Sequence, residues 1–188
     1  MLPFDYDTFA AYKGIVEAGV TNIHTGKAEY LKVPQSIDMK DTLVASCSLP
    51  ILFQPVKIGR HYYLDGGIAD SIPLVHAMEK GYRKNVVILT RNKGYRKKKP
   101  GKSTPVYVAA FRHYPELLNT LYNRYRNYNR TLELIEKWEQ EGHIFVIRPE
   151  MPAVGRAETN KDKLMDFYQH GYEVMKERYE ELQAYLHS

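Results

Sequence analysis

The stretch Tyr62-Tyr63-Leu64-Asp65-Gly66-Gly67-Ile68 constrains this chain most. An apolar, aromatic run of this kind reads as a strand, and it ends in a carboxylate followed by two glycines. The glycines allow a sharp turn and a close approach of another segment or a substrate. An α/β enzyme presents a catalytic acid or base in this way. Asp-Gly is also a common turn dipeptide, so the neighbouring sequence has to decide between the two.

Upstream, Val16 to Ile23 and Ala28 to Val33 read as strands joined through His24-Thr25-Gly26-Lys27, a hairpin. Thr42 to Leu49 reads as a short buried helix ended by Pro50. Ile51 to Ile58 and His61 to Leu64 form a second extended pair around Gly59-Arg60, and this pair delivers Asp65. Asp70-Ser71 reads as a helix start, with Pro73 in the first turn and Gly81 as the stop. Val86 to Leu89 is a continuous apolar run, expected in a strand covered on both faces. Strand, turn, helix and strand then make a βαβ unit.

The second half reads as helical. Leu118, Leu121, Tyr125, Tyr128, Leu132 and Ile135 step by three and four, with Tyr122 widening the stripe. His143 to Ile147 is a further strand. A last helix is expected from about Lys161 to Leu186, with Leu164, Tyr168, Gly171, Met175 and Leu182 along one side. Strands mixed with long amphipathic helices argue for a sheet flanked by helical layers.

At 188 residues, 44% of them hydrophobic, the chain has enough material for one core of ordinary size. No apolar run approaches the roughly 20 residues of a membrane span, and the first residues show no signal-peptide pattern. A single cysteine, Cys47, is expected as a small buried hydrophobe and fits a reducing compartment. Arg91, Lys93, Arg96, Lys97, Lys98 and Lys99 crowd together in a chain of net charge +5. Such a run is most simply a solvated loop. Its functional reading is peripheral contact with an anionic membrane, with nucleic acid not expected.

Other chemistries find little footing. Gly101-Lys102-Ser103 ends like a phosphate-binding loop, but Arg96 stands where its first glycine belongs. No dinucleotide fingerprint and no Cys or His pair at zinc spacing occurs, so no cofactor or metal is expected. The sequence has no Gly-x-Ser-x-Gly, and neither Ser46 nor Ser48 sits at a nucleophile elbow.

Two blocks decide between turn and catalyst. Ala45-Ser46-Cys47-Ser48-Leu49-Pro50-Ile51-Leu52-Phe53-Gln54-Pro55-Val56, followed by Tyr63-Leu64-Asp65-Gly66-Gly67-Ile68-Ala69-Asp70-Ser71-Ile72-Pro73, resembles the patatin-like phospholipase family, above all its bacterial members. The resemblance implies a three-layer α/β/α fold and a lipid acyl hydrolase that works by a Ser–Asp dyad. Asp65 matches the dyad carboxylate, and Gly66 and Gly67 belong to the active-site loop. The family's Gly-x-Ser-x-Gly matches nothing in these residues. By this resemblance the chain corresponds to the C-terminal portion of one such domain, 1–188, with a sheet-rich part at 1–90 and a mainly helical part with one strand at 105–188. Such a portion is expected to be inactive alone, cytoplasmic with peripheral membrane contact, and prone to self-association through faces left uncovered. Its substrate would be an acyl lipid or ester. The competing expectation is a non-catalytic module that binds an anionic lipid or other anionic partner.

Overall fold

The computed structural model describes residues 4–33, 39–101, 104–155 and 157–188. In chain order the elements are α1 (Tyr6–Ala11), β1 (Glu17–Asn22), β2 (Ala28–Lys32), α2 (Met39–Cys47), β3 (Val56–Ile58) and β4 (His61–Asp65). A single 3₁₀ turn (Gly66–Ile68) leads to α3 (Leu74–Glu79), β5 (Asn85–Ile88), α4 (Thr104–Phe111) and α5 (Pro115–Gln140). The remainder is β6 (Ile144–Ile147), α6 (Lys161–Glu177) and α7 (Tyr179–His187). The chain is α/β. It divides into two compact units, one of Met1–Pro73 with Lys97–Asn129 and one of Leu74–Arg96 with Arg130–Ser188. Among the described residues no helix is long and apolar enough to cross a membrane.

The first unit holds a four-stranded antiparallel sheet in the order β2-β1-β4-β3. Strand alternation sends successive side chains to opposite faces, and this sheet is covered on both. On one face Val20 and Tyr63 pack on Ala45 of α2, flanked by Leu31, Val56 and Ile58. On the other face Ile23, Leu64 and Ile68 pack on Phe111 of α4 and on Leu117 and Leu121 of α5. The result is three layers, helix, sheet and helix. Fully burying a side chain such as Leu64 contributes roughly 2–3 kcal/mol.

Particular expectations here need correction. Residues 51–53 are turn and bend and 54–55 irregular, not strand, and β3 is confined to Val56–Ile58. Pro50 and Pro55 bracket that stretch, and a proline has no N–H to give a ladder. Within it Ile51 sits at φ 75°, a left-handed conformation that costs a β-branched residue about 1–3 kcal/mol. Cys47 is exposed. The buried stripe of α2 is Met39, Thr42 and Ala45, a spacing that leaves position 47 outside it.

The second unit contains the two-stranded parallel sheet of β5 and β6. The expected βαβ link from β4 to β5 does not form, because β4 and β5 belong to different sheets. β5 pairs instead with β6, and their connection includes α4 and α5. Nor is β5 covered on both faces, since Val86 and Ile88 are exposed while Val87 is buried. β6 is buried throughout. Phe145 and Ile147 meet Val174 of α6, with Met175, Leu182 and Tyr185 packed beside them.

Two helix expectations also change. α3 begins after Pro73, not at Asp70. It closes as expected on Gly81, whose φ of 89° allows the Tyr82 N–H to reach Ala77 O and the Gly81 N–H to reach Met78 O. The last helix is broken at Arg178, whose guanidinium holds Val146 O at 2.6 Å and Glu181 at 2.7 Å and lies over the Phe145 ring. Only the C-terminal end of α6 reaches the core, so Leu164 and Tyr168 stay exposed. Along α5 the buried positions are Leu117, Leu121, Leu132 and Ile135, with Leu118 at the half-buried edge.

Candidate active site around Asp65

Asp65 is the last residue of β4, an interior strand, and pairs in register with Val20 of β1. It is half-buried, with Tyr63, Leu64 and Ile68 buried around it. Its backbone is tied on both sides. The Asp65 N–H donates to Ser48 O at 2.9 Å, and Asp65 O accepts the Thr21 hydroxyl at 2.9 Å. Its Oδ1 accepts the Gly67 N–H at 2.6 Å and so caps the 3₁₀ turn. A charge-assisted bond of that length fixes the carboxylate's rotamer.

The two glycines have different physical reasons. A Cβ on Gly66 would lie 2.2 Å from Gly19 O, so the turn can cross β1 only without a side chain there. On Gly67 it would stand 2.9 Å from Asp65 Oδ1, in the space the carboxylate uses. The Gly67 N–H is committed to Asp65, and its carbonyl accepts from Ser71 Oγ at 2.7 Å and from Arg124 Nε at 2.6 Å.

Sequence reasoning missed Thr21, Ser71 and Arg124. Thr21 is fully buried, donates to Asp65 O and accepts the Ala69 N–H. Arg124 stands 57 residues from Gly67 in sequence, and nothing local marks it as a partner. Asp70 does not cap α3. It accepts the Ile72 N–H at 3.1 Å and the Tyr30 hydroxyl, fastening the outgoing chain to β2.

Beneath the site, Asn22 donates to Glu29 Oε1 at 2.8 Å and the Tyr63 hydroxyl to Glu29 Oε2 at 2.8 Å. Burial, reinforced by the Glu29 carboxylate, pushes the Tyr63 pKa up to about 12. Neither Ser46 nor Ser48 is turned toward Asp65 as a nucleophile, for their hydroxyls donate to Gly19 O and Val44 O.

Four of the six cations of the basic run meet an aromatic ring or a carboxylate. In the second unit Arg91 lies over Tyr95 and Arg96 makes a bidentate pair with Glu136, at 3.0 and 2.6 Å, which lowers the Glu136 pKa. In the first, Lys97 Nζ is 4.0 Å from the Tyr128 ring centre and Lys99 Nζ 5.1 Å from that of Tyr122. Lys93 and Lys98 are exposed. Of the Gly101-Lys102-Ser103 tripeptide, Lys102 and Ser103 lie outside the described residues.

Comparison with known families finds two matches. Residues 10–78 match the model described as patatin-like phospholipase, and residues 114–187 match one described as a domain of unknown function, DUF6363. No curated protein matches the chain. The first match takes in β1 to β4, Asp65, the two glycines and most of α3. Over these residues the chain is similar to the patatin-like phospholipase family.

Proposed function

We propose that this chain supplies the carboxylate of a Ser–Asp dyad that cleaves the carboxylic ester bond of an acyl lipid. The observation that carries the reading is the Asp65 carboxylate itself. It ends an interior strand inside the matched segment, and one oxygen is pinned by the Gly67 N–H. A carboxylate so fixed can accept a proton without losing its aim. The serine belongs to a Gly-x-Ser-x-Gly element, which this sequence lacks. The 188 residues alone are therefore inactive.

The chemistry balances with these groups. The serine oxygen attacks the ester carbonyl as its proton passes to Asp65. The tetrahedral intermediate collapses, and the alcohol leaves with that proton. Water then attacks the acyl-serine, gives its proton through Asp65 back to serine, and releases the carboxylic acid. Gly67 N–H is not an oxyanion donor in this scheme, being already committed to Asp65.

The test is turnover of a p-nitrophenyl acyl ester by the polypeptide that joins this segment to such a serine. Asp65→Asn keeps the shape of the cap and should lower kcat by about 10²–10⁴-fold. Turnover undiminished in a folded variant removes Asp65 from the mechanism. The anionic-partner reading draws less support, because Arg96 is already neutralised by Glu136 and Lys97 and Lys99 lie on tyrosine rings.

A further inference from the structure

A cavity of about 280 Å³ lies between α4 and α5 in the first unit. Pro100, Tyr107, Val108, Leu118, Leu121 and Tyr122 make its walls almost entirely apolar, with Thr104 and Asn119 as the polar exceptions. Among the described residues, Lys99 brings a positive charge to its edge. Lys99 precedes the lining residue Pro100, and its ammonium lies 5.1 Å from the ring centre of Tyr122, another lining residue. Among the described residues no carboxylate pairs with Lys99. An apolar cavity with a cation at its lip selects an amphiphile with an anionic end. A lipid with two chains and a bulky head exceeds a space this small.

We propose that this cavity binds one long-chain carboxylate, its alkyl chain between α4 and α5 and its carboxylate on Lys99. The site lies outside residues 10–78. It deepens the reading above in one respect, for a long-chain carboxylate is what hydrolysis of an acyl lipid releases. The same helix face connects the two places. Leu121 packs in the core with Ile68, and Arg124, three residues further along α5, holds Gly67 O. Three residues span about 4.5 Å of helix axis, so an occupied cavity abuts the segment that secures the Asp65 loop.

The experiment titrates the 188-residue chain with palmitate below its micelle concentration, reading heat by calorimetry, and repeats the titration with methyl palmitate. Saturable one-to-one binding of palmitate is expected. Val108→Trp fills the cavity from an exposed wall and should abolish binding, with circular dichroism showing that the fold survives. Lys99→Gln carries the test on a fully exposed side chain should the tryptophan variant unfold. It should weaken palmitate about fivefold and leave methyl palmitate unchanged, and Lys99→Arg should restore the acid. Absence of saturable binding, binding that survives in folded Val108→Trp, or equal losses for acid and ester in Lys99→Gln each overturn the proposal. So does a dimer by light scattering that palmitate fails to dissociate, since a second copy would then fill the cavity. None of these readouts involves turnover, so the dyad and the cavity stand or fall separately.

Discussion

The two sheets of this chain are made of similarly apolar strands and meet different fates. β4 lies inside four antiparallel strands with α2 on one face and α4 and α5 on the other, and both Tyr63 and Leu64 are buried. β5 has one neighbour and one covered face, and Ile88 is 72% exposed. Side-chain chemistry does not separate Leu64 from Ile88. What separates them is whether a helix lies over the face, and so which strand end is rigid enough to aim a carboxylate.

The largest effect expected from that difference is in stability. Leu64→Ala should cost about 2–5 kcal/mol by chemical denaturation, whereas Ile88→Ala should stay within about 0.5 kcal/mol. Equal costs would mean that β5 is covered after all.

Gly66→Ala sharpens the contrast within the first unit. Its Cβ would meet the Gly19 carbonyl, so β1 or the turn must shift, at about 1–3 kcal/mol. The same change at Gly59, where a Cβ meets nothing, costs only the strain of φ 59°, about 1 kcal/mol. A ranking with Gly59 the more sensitive would show that the crossing over β1 is not tight.

A smaller signal comes from Tyr63. Its folded pKa is raised to about 12 from an ordinary 10, chiefly by burial and then by Glu29. The neutral phenol is thus favoured by folding, and its contribution is whole below pH 10 and lost as pH rises from 10 toward 12. Ultraviolet titration should show one tyrosine ionising late. Glu29→Gln should move it only part of the way back, since burial remains; full return to 10 would make Glu29 the main cause.

The smallest effect is at Ile51. Ile51→Gly removes the left-handed strain at a partly exposed position and should raise stability by about 0.5–1 kcal/mol after glycine's own entropy is counted. A fall in stability would mean that the isoleucine side chain packs more than its exposure indicates.

Local signals were legible wherever a residue's neighbours in sequence are also its neighbours in space. Two strand-like runs joined by His24-Thr25-Gly26-Lys27 marked β1 and β2, the step of three and four marked α5, and Gly81 marked the end of α3. Misreadings came where a distant partner intervened. The helix that periodicity runs straight through is interrupted at Arg178, whose guanidinium reaches a strand carbonyl 32 residues away. Cys47 is exposed because the sheet meets α2 along Met39, Thr42 and Ala45, a choice of face that a weakly amphipathic segment does not announce.

The sequence by itself determined that a strand would end in Asp65 with two glycines after it, and that the surrounding blocks resemble a lipid acyl hydrolase. Backbone conformation and local pattern are properties of consecutive residues, so they can be read in line. Only the tertiary structure decided that Thr21, Ser71 and Arg124 would lock that loop, that Gly66 is needed for passage over β1, and that α4 and α5 would leave an apolar cavity beside Lys99. Those contacts join segments far apart in sequence, and packing, which is not periodic, selects them.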